Sequence, residues 1–563
     1  MMSYRVGAAR IEITPDALGV EMLGWADPEH TVRGTATPLY ARAISISVPE
    51  ENKKLVMVCL DVCFITEALR LEVMARTGFR DDEIIISATH THSAPGGYSS
   101  YVLYSLNNDG FISSIFETYV AGTVRAIEEA SANLKPASIR FAEGDFPIRE
   151  PVAFNRSIRA WNRNPDVTRY SRRQRNLAVD RQMTLLRFDR DDGTPIAAWN
   201  WFPVHATSMH RDNYKIHSDN KGMAANEMEE AFEHEGKSAF VAVFAQGAAG
   251  DVSPNYRWFV GLREKRGSFR RDDRSCKLNA HLQMKHAMKL FKKAGENPAL
   301  PVKLASFFEY EDLSSVSIDP DFVGGEAGLE TGPAEVGTPQ LYGTAEGRGA
   351  SYLMIFVMKI AIRICQLYNF FVDWYHDREP YWPWTNHPIQ GRKITIIAPG
   401  RSEILETGRI DELIFPDFLH PTIATLRKWA KRGVLKQRPF SPQVLPIQLA
   451  QIGDLMITAV PAEFTTVAGW RLRKTIEQEF VGQGISRAIV QGYANAYASY
   501  VTTPEEYDQQ SYEGGCTHFG KWTLPGYLTL FRGLCRKMIS GKPASPLRPK
   551  LPSIQYMQAI EKK

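Results

Sequence analysis

Two histidines one residue apart, His90 and His92, close an apolar run in IIISATHTHSAPGGY, residues 84–98. Imidazole is the commonest metal ligand and the usual acid or base near neutral pH, and a strand end would hold it rigidly yet within reach. As an isolated pair they match no fixed metal-binding spacing, and the plainer reading is two histidines satisfied by ordinary hydrogen bonds. The balance turns on whether other strand ends deliver matching groups. Candidates are His205 in NWFPVHATSMH, Ser253 in AQGAAGDVSPN, Glu463 in PAEFTT and Tyr500 in GYANAYASYVTTPEEY. Two histidines and a glutamate make a catalytic zinc set, with a fourth position left for water or a weaker oxygen ligand. HExxH and GxSxG are both absent, which removes the usual metalloprotease helix and the α/β-hydrolase elbow. His210 and His217 stand as alternative imidazoles, and Tyr500 sits among Tyr493, Tyr497 and Tyr507, a setting in which tyrosine usually packs.

The elements that must position these groups alternate between strand and helix patterns, which specifies a mixed α/β domain with its site at strand ends. Runs rich in Ile and Val over 39–48 and 54–64 read as strands, followed by a helical pattern over 66–76 and the short strand that ends at Ala88. A helix is predicted over 113–132, with Val120, Val124 and Ile127 on one face. Residues 182–188 and 195–202 flank Asp-Asp-Gly and read as a hairpin; a helix at 220–234 and a buried strand at 239–244 follow. Residues 444–460 read as a second hairpin turning at Ile452-Gly453-Asp454, with Glu463 just past its end, and 488–491 as a last strand.

At 563 residues and 44% hydrophobic, the chain can bury a large core. A net charge of +4 with 23% charged residues gives no global argument for a nucleic-acid partner or for disorder. The six cysteines are scattered without a CxxC pair, which suits a reducing compartment. The first residues, MMSYRVGAARIEITP, do not read as a secretory signal, so a cytoplasmic or peripheral membrane location is expected over secretion. Residues 352–374 are apolar but contain Lys359 and Arg363, charges that are costly at mid-bilayer. This stretch is expected to be a helix lying on something apolar.

Six blocks carry a resemblance: THTHSAPGG at 89–97, FNRS at 154–157, NWFPVHATSM at 200–209, GDVSPN at 250–255, PAEFTT at 461–466, and YVTTPEEY at 500–507 followed by SYEGG. Together and in this order, from about Val6 to Gly520, they resemble the neutral ceramidase family (neutral/alkaline, non-lysosomal). The resemblance implies a zinc-dependent amidase that cleaves the N-acyl bond of ceramide to sphingosine and fatty acid with zinc-activated water. By block position it places one zinc ion on His90, His205, Glu463 and Tyr500, and it lines the reacting amide with His92, Arg156, Ser253 and Tyr512. His92 would protonate the leaving amine, Arg156 and Tyr512 would support the oxyanion, and Ser253 is either nucleophile or hydrogen-bond partner, the second being preferred. The Ala94–Gly97 loop would form part of the substrate entrance.

Three departures from the family are visible. No export signal is read. The residues after 520 are too few for the family's C-terminal immunoglobulin-like sandwich, so a catalytic domain over 1–520 and a short basic, apolar tail over 521–563 are expected. The segment after GDVSPN, with Cys276, is basic and aromatic. The tail, with Leu528, Leu530, Phe531 and Leu534 near Arg532, Arg536 and Lys537, and the 352–374 helix suggest peripheral contact with an anionic membrane. Two other readings stand beside ceramide hydrolysis: cleavage of a different N-acyl lipid amide, and a catalytically silent lipid-binding protein.

Overall fold

A computed structural model describes residues 2–105, 110–234, 239–347, 349–375, 387–399, 403–404, 427–429, 431 and 438–561. The last two lysines of the expected tail lie outside these residues. Two sheets stack face to face with helices on both outer surfaces, giving four layers. The large sheet has eight strands, in the spatial order Ile84–Ala88, Lys53–Leu60, Tyr40–Val48, Tyr4–Glu12, Lys135–Asp145, Gln182–Arg190, Pro195–Trp201, Val241–Ala245. The small sheet has four: Leu304–Asp312, Val444–Ile452, Leu455–Ala459, Arg487–Gln491. Their facing sides share one apolar core, in which Val6, Ile46, Met57 and Trp199 of the large sheet meet Ile452, Ile457 and Ile489 of the small one.

Helices Glu67–Thr77 and Ser113–Ala132 cover one half of the large sheet's outer face, and Asp219–His234 with Asp272–Glu296 the other half. Helices Thr466–Glu479 and Thr523–Ser540 cover the small sheet. The helix Ser113–Ala132 buries Val120 and Ile127, with Val124 partly buried beside them, as its periodicity predicts. Both hairpins form antiparallel pairs. Strands Tyr4–Glu12, Lys135–Asp145 and Leu304–Asp312 and the 25-residue helix Asp272–Glu296 were not legible as elements. In the helix, the heavily charged opening RRDDRSCK masks an apolar stripe of Cys276, Ala280, Ala287, Leu290 and Ala294.

Most neighbouring strands are antiparallel, and the exceptions matter. Lys53–Leu60 runs parallel to Ile84–Ala88, Pro195–Trp201 to Val241–Ala245, and Leu455–Ala459 to Arg487–Gln491. A parallel pair delivers both carboxyl ends to the same side. Three such pairs therefore send six chain segments out toward one place.

The tail departs from its expected membrane role. Leu524, Tyr527, Phe531, Leu534 and Cys535 are buried against the small sheet, because the helix supplies the apolar stripe that closes this core. Its cations pair with acids of the fold, Arg532 with Asp319 at 2.8 Å, Lys537 with Glu309 at 2.8 Å, and the exposed Arg536 with Glu479 at 3.0 Å. Truncating fully buried Phe531 to alanine is expected to cost about 3–5 kcal/mol, read as a lowered urea midpoint. A loss under about 1 kcal/mol would instead make the helix an appendage.

Candidate active site

His90 follows the strand Ile84–Ala88 and takes a left-handed backbone, φ 68°, that few non-glycine residues adopt. This turn throws its ring back beneath the loop after Leu60. There Nδ1 donates to the Cys63 carbonyl oxygen at 2.6 Å, leaving the Nε2 lone pair facing inward. His205, past the strand Pro195–Trp201, is held in the same way: its Nδ1 faces the carbonyl oxygens of Ala249 at 2.8 Å and Val252 at 2.9 Å. Glu463 follows the small-sheet strand Leu455–Ala459 and pairs in parallel with Tyr500 in a separate two-residue ladder.

These groups converge. His90 Nε2 lies 3.5 Å from Glu463 Oε1, His205 Nε2 lies 3.1 Å from Glu463 Oε2, and the Tyr500 hydroxyl is 3.5 Å from His205 Nε2. The two imidazoles and the carboxylate place one donor atom each within 4.8 Å of one another, all buried. Burial lowers the His90 pKa to about 4, so the ring is neutral. Burial alone would raise Glu463, but His90, His205 and the Tyr497 hydroxyl hold it well below the ordinary carboxylate range. Tyr493 donates to Glu463 Oε2 at 3.1 Å, and Tyr497 donates to Oε1. Beyond packing, both tyrosines orient the carboxylate. Two imidazole nitrogens and a carboxylate, each with its outer atoms engaged, fit a zinc ion.

His92 borders the same space. Its Nε2 is 3.1 Å from His90 Nε2, and its Nδ1 is buried without a partner. Gly24 packs on the ring so closely that a Cβ would stand 2.3 Å from the imidazole Cγ, and its φ of 111° also resists a side chain. Gly24→Ala should therefore displace His92 and lower kcat by about 10- to 100-fold with zinc content intact. An unchanged kcat would show that His92 tolerates displacement.

Arg156 follows a short antiparallel pairing of Phe154–Asn155 with Val252–Ser253, which sets its backbone beside Asp251. Its guanidinium donates to Glu513 Oε1 at 2.8 Å, the Gly250 carbonyl at 2.8 Å and the Tyr500 hydroxyl at 2.9 Å. Ser253 is buried, with its hydroxyl oxygen accepting from the Asn255 N–H at 2.8 Å. The Tyr512 ring meets Tyr500 edge-on at 5.6 Å. All eight residues singled out from the sequence thus occupy one region. The rival histidines lie apart from the donor cluster: His210 faces Asp272 at 3.2 Å, and His217 accepts from the Asp219 N–H at 2.9 Å.

Two neighbours gave no signal in the sequence. Glu346, in a glycine-rich stretch without periodicity, is buried, and one of its oxygens lies 3.7 Å from Arg156. Trp25 meets His92 edge-on at 5.2 Å and stacks on His210. The Ala94–Gly97 loop is buried, with Pro95 bridged to Met22.

A four-layer α/β domain that gathers two imidazoles, a carboxylate and a phenol at converging strand ends has the donor set of a metal-dependent hydrolase. The family model for the N-terminal part of neutral/alkaline non-lysosomal ceramidases matches residues 4–359 and 429–529. The neutral ceramidase of Pseudomonas aeruginosa is 33% identical over 538 residues, spanning 94% of this chain and 71% of that protein. That of Mycobacterium tuberculosis is 29% identical over 552 residues, 96% of this chain and 78% of the relative. Among solved structures, a ceramidase complexed with C2 superposes with a TM-score of 0.79 at 30% identity, covering 98% of this chain and 78% of that one. The crystal structure of the Pseudomonas aeruginosa neutral ceramidase gives 0.76 at 29% identity, covering 99% and 77%. The chain belongs to the neutral/alkaline non-lysosomal ceramidase family.

Proposed function

We propose that this chain hydrolyses the N-acyl amide of ceramide to a sphingoid base and a fatty acid, with one zinc ion held by His90, His205, Glu463 and Tyr500. The observation that carries the reading is the pair of imidazoles locked through Nδ1 with both Nε2 atoms turned toward one carboxylate. Zinc bound there would acidify a water molecule and polarise the acyl carbonyl, as an unreactive amide requires. Arg156 holds a fixed positive charge against Tyr500 and, with Tyr512, supports the charge that develops on the carbonyl oxygen. His92, kept neutral by burial, can take a proton at Nε2 from the attacking water and return it to the leaving nitrogen. Ser253 acts as a hydrogen-bond partner of the substrate, since its oxygen already accepts from a backbone N–H; trapping an acyl-serine in a single turnover would overturn that role.

The test is fatty-acid release from N-acyl sphingosine by the purified chain before and after chelation. Activity is expected to disappear with chelator and return with zinc. Full activity in zinc-free protein would refute the metal reading. Comparison across head groups separates ceramide from other N-acyl amides.

Membrane contact rests on one helix. Tyr352–Tyr375 turns Ile355 and Ile362 inward but leaves Leu353, Phe356, Val357, Ile360 and Ile364 exposed. No helix among the described residues is long and apolar enough to cross a membrane, so this face would lie along a bilayer surface. Co-sedimentation with anionic vesicles at low salt is the expected result, and its absence ends that reading.

A further inference from the structure

Three rings lead from the edge of the proposed zinc site to a buried charge pair that the reaction scheme leaves unused. His92 meets Trp25 edge-on at 5.2 Å, and His210 is stacked on the same indole at 5.6 Å with 17° between the planes. Trp25 sits between Gly24 and Ala26, whose φ values of 111° and 50° fold this stretch tightly. A Cβ on Gly347 would stand 2.9 Å from the six-membered half of the indole, so the ring is closely confined.

His210 is fully buried, and both of its nitrogens face oxygen atoms. Nε2 is 2.9 Å from the Lys265 carbonyl oxygen, and Nδ1 is 3.2 Å from Asp272 Oδ1. A carbonyl and a carboxylate only accept, so either neutral tautomer would turn one lone pair onto an oxygen, whereas the imidazolium presents a proton to each. The Nδ1 approach lacks hydrogen-bond alignment and acts as a charge contact, while Asp272 Oδ2 accepts from the His210 backbone N–H at 3.1 Å. The other charges around the ring are Glu264 and Arg266. Arg266 is shared among Glu264 at 2.6 Å, Asp212 at 2.6 Å and Asp272 at 3.0 Å. Burial opposes a charge on His210, yet Asp272 outweighs it and holds the pKa above the ordinary histidine value. An imidazolium is drawn to the face of an indole by the ring quadrupole, an attraction that the neutral ring loses. The next residue, Arg211, lies 3.8 Å from Asp27, which ties the stretch around Trp25 to the same segment a second time.

We infer that His210 is a positioning residue of the site: its charge latches residues 24–27 through Trp25 and so sets His92 for proton transfer. This rests on the role proposed above for His92 and adds a control on it. The His92 Nδ1 has no partner, so the ring takes its place from the packing of Gly24 and Trp25. The latch is charged at neutral pH and below, and it weakens as rising pH takes the proton from His210.

The experiment measures kcat and KM on N-acyl sphingosine from about pH 6 to about pH 10, beside zinc content and an NMR titration of isotope-labelled histidine. The parent is expected to lose about 10-fold in kcat on the alkaline side with KM little changed, the scale of a slightly misplaced catalytic group. His210→Gln should show that loss already at neutral pH, keep its zinc and lack the alkaline decline. Asp272→Asn should move the decline and the His210 resonance together to lower pH. Trp25→Leu should remove the decline while His210 still titrates, and with the glutamine variant it decides the matter if Asp272→Asn does not fold. A His210→Gln profile parallel to that of the parent would overturn the latch, because a merely structural ring lowers the rate alike at every pH. A His210 resonance that titrates below the ordinary histidine range would overturn it too. Absence of hydrolysis by the parent at every pH would instead defeat the amidase reading, and the latch with it.

Discussion

Replacing His90 with alanine is expected to strip the protein of zinc and abolish amide hydrolysis, whereas replacing His92 is expected to leave zinc in place and lower kcat by about 10²- to 10⁴-fold. The contrast follows from what holds each ring. His90 is pinned through Nδ1 to the Cys63 carbonyl and turned by its left-handed backbone so that Nε2 faces Glu463. Without it, the remaining protein donors are one imidazole, one carboxylate and a phenol, and a ligand set cut to this extent holds zinc poorly. His92 has no comparable anchor on its second nitrogen and packs between Gly24 and Trp25. A ring held by packing at the edge of the donor set suits proton transfer, and its loss corresponds to about 3–5 kcal/mol of barrier. Zinc stoichiometry and single-turnover rates for the two variants decide the matter. Equal zinc loss in both would make His92 a ligand, and full activity in His90→Ala would refute the site.

How much of this was readable beforehand depended on how local the cause is. The helix Ser113–Ala132 and both hairpins were legible because their periodicity and turn residues lie within the segment itself. The strand Tyr4–Glu12 was not, because YRVGAARIE mixes charges into a strand that is stabilised by neighbours on both sides, one of them about 130 residues away. The site residues were legible as types at strand ends, but their convergence depends on three parallel pairs that no local pattern encodes. The family blocks supplied that step. Tyr493 and Tyr497 look the same in sequence as tyrosines that only pack, and only the fold sets their hydroxyls on Glu463. Glu346 left no trace at all, since its importance comes from burial beside Arg156. The tail misled in the opposite direction. An amphipathic helix with basic residues suits a membrane surface or a protein core equally well, and the acids that pair with Arg532 and Lys537 lie some 210 to 230 residues earlier in the chain.

Arg156 carries the second large expectation, because it joins stability to chemistry. Its guanidinium is almost wholly buried and spans Glu513, the Gly250 carbonyl and the Tyr500 hydroxyl, while Glu513 also accepts from Ser157 at 2.6 Å. Arg156→Ala would leave the Glu513 carboxylate buried without its cation, a change expected to cost about 3–5 kcal/mol of stability. It would also remove the fixed charge beside Tyr500, lowering kcat by roughly 10²- to 10³-fold. Arg156→Lys separates the two effects. An ammonium can approach Glu513 as a point charge but cannot reproduce the planar fork that reaches three acceptors at once. Stability should therefore recover more fully than kcat, measured by urea denaturation alongside turnover on N-acyl sphingosine. If lysine restores kcat in step with stability, Arg156 is a structural cation that happens to lie near the site. If alanine lowers kcat while leaving the urea midpoint unchanged, the ion pair with Glu513 contributes nothing to the fold and the argument from burial fails.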